Sequence, residues 1–476
     1  MNIIHADCLA ALRDMPDASV DAVVTDPPYG LSNTTPDQVA DTITRWVSGD
    51  REYLPTGRGF MGHEWDGFVP PVAVWDECLR VLKPGGHLLA FAGSRTHDLM
   101  TLGIRLAGFE IRDSVAWLYG SGFPKSLDVS KAIDKRRDWS LVERLAGEIR
   151  RARADAGLSL AEIGQATLAA TGGTYGKWYH RGGHMFFETG RSLPSRPEWE
   201  QLRHVLPIAP EFAEVYDEAE REVIGVKKGA MSGWSMDGTT QFVDRDVTAP
   251  ATDAARQWQG WGTALKPAFE PATLARKPLS GTVAANVLEH GTGALNVDAS
   301  RIGGPSGRWP ANVVLDESQA AELDRQSGWQ KDGVAVRHRG VKSEGVTGWG
   351  VHPAGTPDMG YGSGGGASRF FYVAKAPKSE RPVVDGTAHP TVKPLALMRW
   401  LVRMVTPPNG TVLDPFAGSG TTLEAAMLEG FNVIGIEREA DYLPLIRARI
   451  ERATTEMEAQ AEAEAGMLFA LDGDTA

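Results

Sequence analysis

A strand, a glycine-rich turn and a helix follow one another near the end of the chain, and they constrain its fold more than any other stretch. Residues 411–413 are β-branched or apolar, and apolar side chains recur at helical spacing over residues 421–430. The turn between them, residues 414–420, contains two glycines. Glycines there let bare backbone approach a ligand at the N-terminus of the helix. The pattern therefore predicts a ligand-binding strand–turn–helix unit.

A second strand follows that helix and ends in an acid. Residues 431–436 have strand character, and Glu437 comes directly after them. An acidic side chain at the end of the second strand of such a unit is the usual partner of ribose hydroxyls. The sequence therefore predicts that this unit binds an adenosine-containing cofactor, with Glu437 on the ribose.

The N-terminal part of the chain contains a second strand that runs into a polar turn. Residues 20–25 predict a strand, and Asp26, Pro27, Pro28 and Tyr29 follow it. The two turns lie near opposite ends of the chain, so only a fold that brings strand ends together can use both. A doubly wound α/β sheet does so, because ligands bind at the carboxyl ends of neighbouring strands where the winding reverses.

The amino-acid composition limits the classes of protein to which this chain can belong. The 476 residues are 42% hydrophobic and 23% charged, as expected for a globular chain. No apolar run reaches ~18 residues, so no membrane span is expected. The N-terminus enters a strand without a signal-peptide pattern. Cys8 and Cys78 lie in apolar contexts that predict buried thiols, and no metal-ligand spacing occurs. We therefore expect a cytoplasmic protein without a metal.

Charge is unevenly distributed along the chain. The net charge is −12, yet residues 125–204 hold 14 Lys or Arg and 10 Asp or Glu. Residues 451–476 hold one Arg and seven acids, so the end of the chain supplies half of the net charge. An acidic total therefore does not exclude a nucleic-acid partner for the middle of the chain.

The order of patterns predicts one α/β domain interrupted by a long insert. Strands and helices alternate over residues 1–124, where residues 31–69 predict a long loop of the kind that forms a lid or a binding loop, and again over 369–455. Residues 125–368 are partly helical and otherwise irregular. Within the insert, residues 139–206 have two helical stretches joined at a glycine and resemble a helix-turn-helix. Ser159 and Glu162 fit a capping box at the start of the second stretch. Residues 456–476 form the acidic tail.

At this point three motifs resemble those of S-adenosylmethionine-dependent DNA amino-methyltransferases. Asp26-Pro27-Pro28-Tyr29 matches the family's catalytic tetrapeptide, and the 414–420 turn matches its F-x-G-x-G cofactor motif. Residues 389–394, His-Pro-Thr-Val-Lys-Pro, match the segment that precedes the cofactor motif in this family. The catalytic motif comes first, which is the β order. The resemblance covers both ends of the chain well and the insert poorly.

The resemblance implies a Rossmann-like methyltransferase sheet, S-adenosyl-L-methionine as cofactor and double-stranded DNA as partner. It also implies a bacterial or phage-encoded protein, with a homodimer and a cognate restriction enzyme as further candidate partners. The insert becomes a target-recognition region, in which Lys177 and Arg181 are candidate DNA contacts. The candidate cofactor-binding residues are Asp7, Thr391, Lys393, Asp414, Pro415, Phe416, Ala417, Gly418, Ser419, Gly420, Thr421, Thr422 and Glu437.

The chemistry accounts for the catalytic residue types. An exocyclic amine on a base is a poor nucleophile, because its lone pair is delocalised into the ring. Asp26 and the backbone carbonyl of Pro27 can accept hydrogen bonds from that amine, and the prolines stiffen the turn. Tyr29 offers a flat face to a base that has left the duplex. Flipping costs a few kcal/mol, and stacking returns about 1–3 kcal/mol.

Several candidate residues have a second interpretation. Asp7 can cap the helix that starts at Cys8, Lys393 can be a surface lysine, and Thr421 with Thr422 can cap the next helix. The helical part of the insert can be a packing or dimerisation bundle. Its basic side chains can contact phosphates or only solvate its faces; they are Lys135, Arg136, Arg137, Arg150, Arg151, Arg153, Lys177 and Arg181. The sequence leaves these alternatives open.

Four functions are consistent with these motifs, and the motifs support them to different degrees. Adenine-N6 methylation of DNA is favoured, because cytosine-N4 enzymes more often carry Ser where this chain has Asp26. A methyltransferase of RNA or of a small molecule agrees less well with a helix-turn-helix-like insert. A DNA-binding regulator with an inactive methyltransferase fold is a further alternative, and the intact motif residues argue against it.

Overall fold

The computed structural model describes most of the chain. The described residues are 1–32, 34–57, 59, 64–122, 126–135, 140–159, 162–163, 187–188, 193–194, 196–219, 223–234, 240–250, 252–331, 364–375, 380, 382–384, 386–389 and 391–473. Two compact units form, one from Met1–Gly122 with Pro267–Ala476 and one from Phe123–Lys266.

The larger unit is built on a sheet of nine strands. The strands of the whole described chain are β1 Asn2–His5, β2 Val20–Thr25, β3 Leu82–Phe91, β4 Glu110–Leu118, β5 Val223–Trp234, β6 Thr240–Thr248, β7 Phe269–Arg276, β8 Val313–Asp316, β9 Tyr372–Ala374, β10 Val383–Val384, β11 Thr387–Ala388, β12 Thr411–Asp414 and β13 Asn432–Glu437. The nine-stranded sheet has the order β1-β13-β12-β2-β3-β7-β4-β8-β9. All neighbours in it are parallel except β7, which runs antiparallel to β3 and β4.

Helices cover both faces of this sheet. The described helices are α1 Cys8–Arg13, α2 Pro36–Ser48, α3 Val72–Val81, α4 His97–Leu106, α5 Val129–Lys135, α6 Ser140–Asp155, α7 Arg196–Val205, α8 Phe212–Ala219, α9 Asp253–Gln257, α10 Val283–His290, α11 Glu317–Ser327, α12 Leu395–Val405, α13 Thr421–Leu428 and α14 Leu443–Gly473. Alternate residues of β2 enter opposite cores: Val23 packs with Trp75 of α3, and Val24 with Trp400 of α12. The predicted doubly wound α/β fold is confirmed.

Three boundaries differ from the sequence prediction. Strands β7 and β8 belong to the nine-stranded sheet, so the separate unit ends at Lys266 and not at residue 368. The 31–69 stretch, predicted as a loop, contains α2, whose start is fixed by a capping box between Thr35 and Gln38. The acidic tail continues α14 as far as Gly473.

A buried ion pair joins the helices that follow the cofactor turn. Glu424 of α13 and Arg449 of α14 are both almost fully buried, and an Nη of Arg449 bonds the Glu424 carboxylate. The other Nη of Arg449 donates to the carbonyl of Glu380 at 2.7 Å. The Glu380 carboxylate in turn accepts from the amide of Leu395 at 2.9 Å. These bonds hold the segment before α12 against α13 and α14.

The smaller unit has its own helical core. Trp199 of α7 stacks on Tyr216 of α8 with ring centroids 4.5 Å apart, and Leu145 and Ile149 of α6 join the same cluster. The predicted capping box of Ser159 and Glu162 forms. Most of the second helix of the predicted helix-turn-helix lies outside the described residues, as do Lys177 and Arg181.

Two of the basic side chains proposed as phosphate contacts are ion-paired within this unit. Arg151 lies between Glu148 and Asp155, and Arg153 forms two hydrogen bonds with Glu188. Their contact with DNA stays a prediction that would require these pairs to open.

Cys8 is half-buried, Cys78 is buried, and both are free thiols. Burial raises the pKa of the Cys8 thiol to about 12. Among the helices that the structure describes, none is long and apolar enough to cross a membrane.

Candidate active site

The two sequence motifs meet at the centre of the sheet. Strands β12 and β2 are neighbours, with Val412 opposite Ala22 and Leu413 opposite Val23. From β12 the chain crosses to β13 on one side, and from β2 it crosses to β3 on the other. The winding therefore reverses between β12 and β2, and their carboxyl ends form the crevice where ligands bind in such sheets.

A buried hydrogen bond joins the strand ends directly. The Thr25 hydroxyl donates to Asp414 Oδ1 at 2.6 Å, and the amide of Phe416 donates to the same oxygen at 3.1 Å. Asp414 is 1% exposed, and this burial raises the pKa of its carboxyl to about 6. The side chain of Asp414 therefore fixes the start of the cofactor turn relative to the catalytic turn.

The glycines of the cofactor turn adopt backbone angles that side chains disfavour. Gly418 has φ 51° and Gly420 has φ 82°. A Cβ on Gly420 would lie 3.1 Å from the Cα of Ile446, so the turn packs tightly on α14. The amide of Gly418 donates to Glu437 Oε2 at 2.7 Å, and the amide of Glu439 donates to Oε1 at 2.7 Å. Glu437 thereby organises the turn from the end of β13.

One aspartate that the motifs do not include holds the catalytic turn. Asp66 Oδ1 accepts the amides of Tyr29 at 2.8 Å and Gly30 at 2.9 Å. The Thr96 hydroxyl donates to the carbonyl of Tyr29 at 2.6 Å. Three hydrogen bonds therefore fix the backbone at Tyr29 and Gly30 and the direction of the Tyr29 ring.

Four polar side chains converge beyond this turn. The Tyr29 hydroxyl lies 2.8 Å from Asp26 Oδ1 and 3.0 Å from Glu270 Oε2. Lys393 Nζ lies 2.6 Å from Asp26 Oδ2 and 3.1 Å from Glu270 Oε2. The four groups form a closed ring, which we call the Asp26–Tyr29–Glu270–Lys393 ring. Two carboxylates thus face one ammonium and one phenol.

Burial and charge act together on this ring. Burial, with the two carboxylates, raises the pKa of the Tyr29 phenol well above its ordinary value. Burial by itself would lower the pKa of the Lys393 ammonium, but Asp26 and Glu270 outweigh it, so that pKa is raised. Lys393 is therefore a buried cation, and not the surface lysine of the second interpretation.

The remaining predicted cofactor residues take several positions. Asp7 is exposed and caps α1, accepting the amides of Leu9 and Ala10, as its second interpretation held. Thr421 lies 3.1 Å from the Ser419 hydroxyl, and Thr422 bonds Asp414. The N-cap of α13 is Gly420, without a side-chain cap, so neither threonine caps that helix.

Other predicted residues line or support the two turns. Pro27, Pro415 and Ala417 are buried, while Pro28 and Phe416 are half-buried. Thr391 bonds the His389 ring through its backbone. The binding of a cofactor by any of these residues stays a prediction.

Glu270, like Asp66, is a residue of this site that the sequence patterns missed. It lies in β7, which was assigned to the irregular insert, and Pro271 interrupts the strand pattern of β7. The stretch Ala272-Thr273-Leu274-Ala275 was the available signal, since β7 is buried between β3 and β4.

A comparison with known protein families matches the parts of the chain that carry the catalytic turn and the cofactor turn. A family model described as DNA methylase (N6_N4_Mtase) matches residues 20–135 and 305–448, more than half of the chain. The chain belongs to this family. Asp26 and Tyr29 lie in the first matched segment, and Lys393, the 414–420 turn and Glu437 lie in the second.

Individual relatives match over shorter stretches. The type II methyltransferase M.ScaI of Streptomyces caespitosus is 40% identical over 73 residues, which are 15% of this chain and 24% of that protein. The type II methyltransferase M2.MboI of Moraxella bovis is 44% identical over 66 residues, 14% of this chain and 24% of that protein. The matches thus span about a quarter of each curated relative.

The solved structures that align with this chain are distant from it in sequence. The PvuII DNA methyltransferase (cytosine-N4-specific) aligns with 95% of this chain and 89% of its own, at 12% identity and a TM-score of 0.37. M1.HpyAVI aligns with 94% of this chain and 98% of its own, at 13% identity and a TM-score of 0.35.

The raised pKa of Asp414 makes a testable prediction about stability. In the folded chain this carboxyl titrates near pH 6, whereas its ordinary value is 3.8. A raised folded-state pKa contributes stability that is complete below the ordinary value and is lost as the pH rises through the folded value. Relative to Asp414→Asn, the wild-type protein should therefore gain about 3 kcal/mol as the pH falls from about 7 to about 3.

The measurement is urea unfolding of both proteins across this pH range. Only the difference between them is informative, because other groups titrate in both. A difference in unfolding free energy that does not change with pH would show that Asp414 ionises normally in the folded chain.

Proposed function

We propose that this chain transfers a methyl group from S-adenosyl-L-methionine to the N6 amine of an adenine flipped out of double-stranded DNA. The observation that carries the proposal is the juxtaposition of the two turns. Asp26 follows Thr25, and Thr25 is hydrogen-bonded to the aspartate that opens the cofactor turn. A methyl donor held by the second turn would therefore lie beside an acceptor in the first.

The groups around Asp26 suit an amine that must be made nucleophilic. Asp26 is 22% exposed at its side chain, so its carboxylate can be reached by a substrate. Each of its oxygens already accepts one bond within the ring, and each retains a second lone pair. A hydrogen bond from the amine to one of these lone pairs, with another to the Pro27 carbonyl, would turn the amine's lone pair toward the methyl group.

The residues around the second turn fit S-adenosyl-L-methionine. Each carboxylate oxygen of Glu437 accepts one hydrogen bond from a backbone amide and can accept another from a ribose hydroxyl. The positive φ of Gly418 and Gly420 keeps side chains off the turn. When bound, the cofactor supplies an electrophilic methyl group on a cationic sulfur, and Asp26 and Asp414 give the crevice negative charge. The described residues include no cluster suited to a metal ion.

Tyr29 has the geometry of a stacking platform with a fixed orientation. Its hydroxyl is held by two carboxylates and its backbone by Asp66 and Thr96. Lys393 Nζ lies 5.2 Å from the ring centroid, which is within the range of a cation–π contact. A ring held in this way loses little entropy when a base stacks on it, and stacking contributes about 1–3 kcal/mol.

The choice of adenine over cytosine rests on the aspartate at position 26, which is also the residue that favours adenine in the sequence analysis. Cytosine-N4 methylation is the alternative within the same family and uses the same turn. A DNA-binding regulator with an inactive methyltransferase fold is a further alternative, and it disagrees with a ring of four polar side chains around Asp26. Sequencing that detects modified bases, applied to DNA from cells that express the chain, would return the base and the recognition site together.

Recognition of the DNA sequence is proposed for the inserted region. Its helical core and local positive charge support this role, and Lys177 and Arg181 remain candidate contacts. A homodimer and a cognate restriction enzyme are further proposals on the same family basis, as is action in the cytoplasm.

Replacement of Glu437 by alanine tests the cofactor site. We expect the dissociation constant for S-adenosyl-L-methionine to rise roughly 10- to 150-fold, as for loss of a charge-assisted bond of about 1.5–3 kcal/mol. Calorimetric titration of the purified variant gives this value, and DNA affinity should not change. Glu439→Ala is the matched control, because Glu439 is a neighbouring acid whose side chain pairs with Arg438. Equal affinities of wild type and Glu437→Ala would mean that the ribose is held elsewhere.

A further inference from the structure

The Asp26–Tyr29–Glu270–Lys393 ring contains one hydroxyl proton between two carboxylate oxygens. The Tyr29 oxygen lies within hydrogen-bond distance of both Asp26 Oδ1 and Glu270 Oε2. A phenol donates one hydrogen bond and can also accept one. With both carboxylates ionised, the phenol can donate a hydrogen bond to only one of them. One more proton, on either carboxyl group, would complete the chain from Asp26 through Tyr29 to Glu270.

We propose that this chain of three oxygens is a proton relay, in which Glu270 takes up, through Tyr29, the proton that the methylated amine releases. The proposal rests on the proposed function and adds Glu270 to it. Glu270 does not touch the substrate in this scheme. It acts through Tyr29 and so positions and accepts a proton without being a catalytic residue itself.

The step balances as follows. The lone pair of the amine nitrogen forms the new N–C bond, and the C–S bond of the methyl donor breaks with its electron pair left on sulfur. The nitrogen now carries a positive charge and gives one N–H proton to Asp26. Asp26 passes a proton to the Tyr29 oxygen as the Tyr29 hydroxyl gives its own to Glu270. The products are a neutral methylated amine and a neutral Glu270.

The surroundings favour this direction of transfer. Lys393 contacts both carboxylates, at 2.6 Å from Asp26 and 3.1 Å from Glu270, so it stays beside the charge as the proton moves. The Glu270 side chain is 22% exposed, which gives the proton a way to solvent. Tyr119 also faces Glu270, and burial together with Glu270 raises the pKa of its phenol to about 12. Tyr119 therefore stays neutral and does not compete for the proton.

Two other titratable groups lie near Asp26. Asp414 and Asp26 repel one another electrostatically, and His389 interacts with Asp26 and with Lys393. Burial lowers the pKa of the His389 imidazole, so it is neutral at neutral pH. His389 therefore adds no charge to the relay.

Single-turnover methylation of DNA by purified full-length variants tests the relay. Glu270→Gln keeps the shape of the side chain but cannot accept the proton, and Tyr29→Phe keeps the aromatic ring but breaks the chain. We expect each to lower the single-turnover rate constant by about 10²-fold, with the affinity for S-adenosyl-L-methionine within about twofold of wild type. The double variant should be no slower than either single variant, because each change interrupts the same path.

The pH profile separates a relay from a packing role. In Glu270→Gln the pH dependence of the rate should differ from that of the wild type, because Lys393 then faces one carboxylate instead of two. Glu110→Gln is the matched control, since Glu110 is ion-paired with Arg276 on the same sheet. Its rate and profile should match those of the wild type.

Two outcomes overturn the relay while leaving the proposed function intact. In the first, the wild-type enzyme methylates DNA, and the Glu270→Gln variant has the same single-turnover rate and the same pH profile. The other is a double variant whose rate loss is the product of the single losses, because that would mean independent roles. A folded wild-type chain that binds S-adenosyl-L-methionine and methylates no DNA would overturn the proposed function and the relay together.

Discussion

Replacing Asp26 with alanine is expected to lower the single-turnover rate of methyl transfer to DNA by about 10²–10⁴-fold. The reason is that the carboxylate both accepts a hydrogen bond from the amine and opens the proton relay. S-adenosyl-L-methionine should bind almost normally, because Glu437 and the glycine turn are unchanged. Cofactor affinity by calorimetry and single-turnover methylation should be measured on the same preparation.

The structure supplies a control for this substitution. Loss of Asp26 leaves the buried Lys393 with Glu270 at 3.1 Å, so its charge keeps one partner and the fold should persist. Asp37→Ala removes an exposed carboxylate from the first turn of α2 and should leave the rate unchanged. An Asp26→Ala protein that turns over at the wild-type rate would remove this residue from the mechanism.

Replacing Glu424 with glutamine is expected to lower the free energy of unfolding by about 3–5 kcal/mol. Arg449 is 1% exposed, and its only carboxylate partner among the ion pairs of the described residues is Glu424. The substitution keeps the volume but leaves the cation buried without an anion. Urea unfolding followed by tryptophan fluorescence measures the loss.

A second variant distinguishes charge burial from packing. In Glu424→Gln combined with Arg449→Met, the uncompensated charge is gone, and we expect most of the lost stability to return. If the double variant is as unstable as Glu424→Gln, the loss comes from packing, and the ion pair contributes little. The affinity for S-adenosyl-L-methionine should not recover in the double variant, because Arg449→Met also removes the bond from Arg449 to the Glu380 carbonyl, beside the segment that carries Lys393.

The sequence was sufficient for the parts of the fold that local patterns determine. Strands β2, β12 and β13 are short apolar runs bounded by turn residues, so their positions could be predicted within a residue or two. The adjacency of β2 and β12 followed from the chemistry, because two motifs far apart in the chain serve one site. The structure confirms this adjacency through the bond from Thr25 to Asp414.

Features that depend on tertiary contacts could not be predicted in the same way. Glu270 becomes part of the site only because β7 inserts antiparallel between β3 and β4, and Pro271 within β7 weakens its strand pattern. Lys393 could be recognised as a motif residue, but its partners Asp26 and Glu270 come from two other parts of the chain. Helix α2 was missed although Thr35 and Gln38 carry a capping-box signal and Val39, Ile43, Trp46 and Val47 recur at helical spacing after it.

The measurement that tests the central claim most directly is transfer of labelled methyl from S-adenosyl-L-methionine to unmethylated DNA by the purified chain. The modified nucleoside is then identified by mass spectrometry after digestion. We expect label in DNA as N6-methyladenine, and none with the Asp26→Ala protein. N4-methylcytosine would keep the enzyme class and replace the base. A folded chain that binds the cofactor and transfers no label to any DNA would contradict the account.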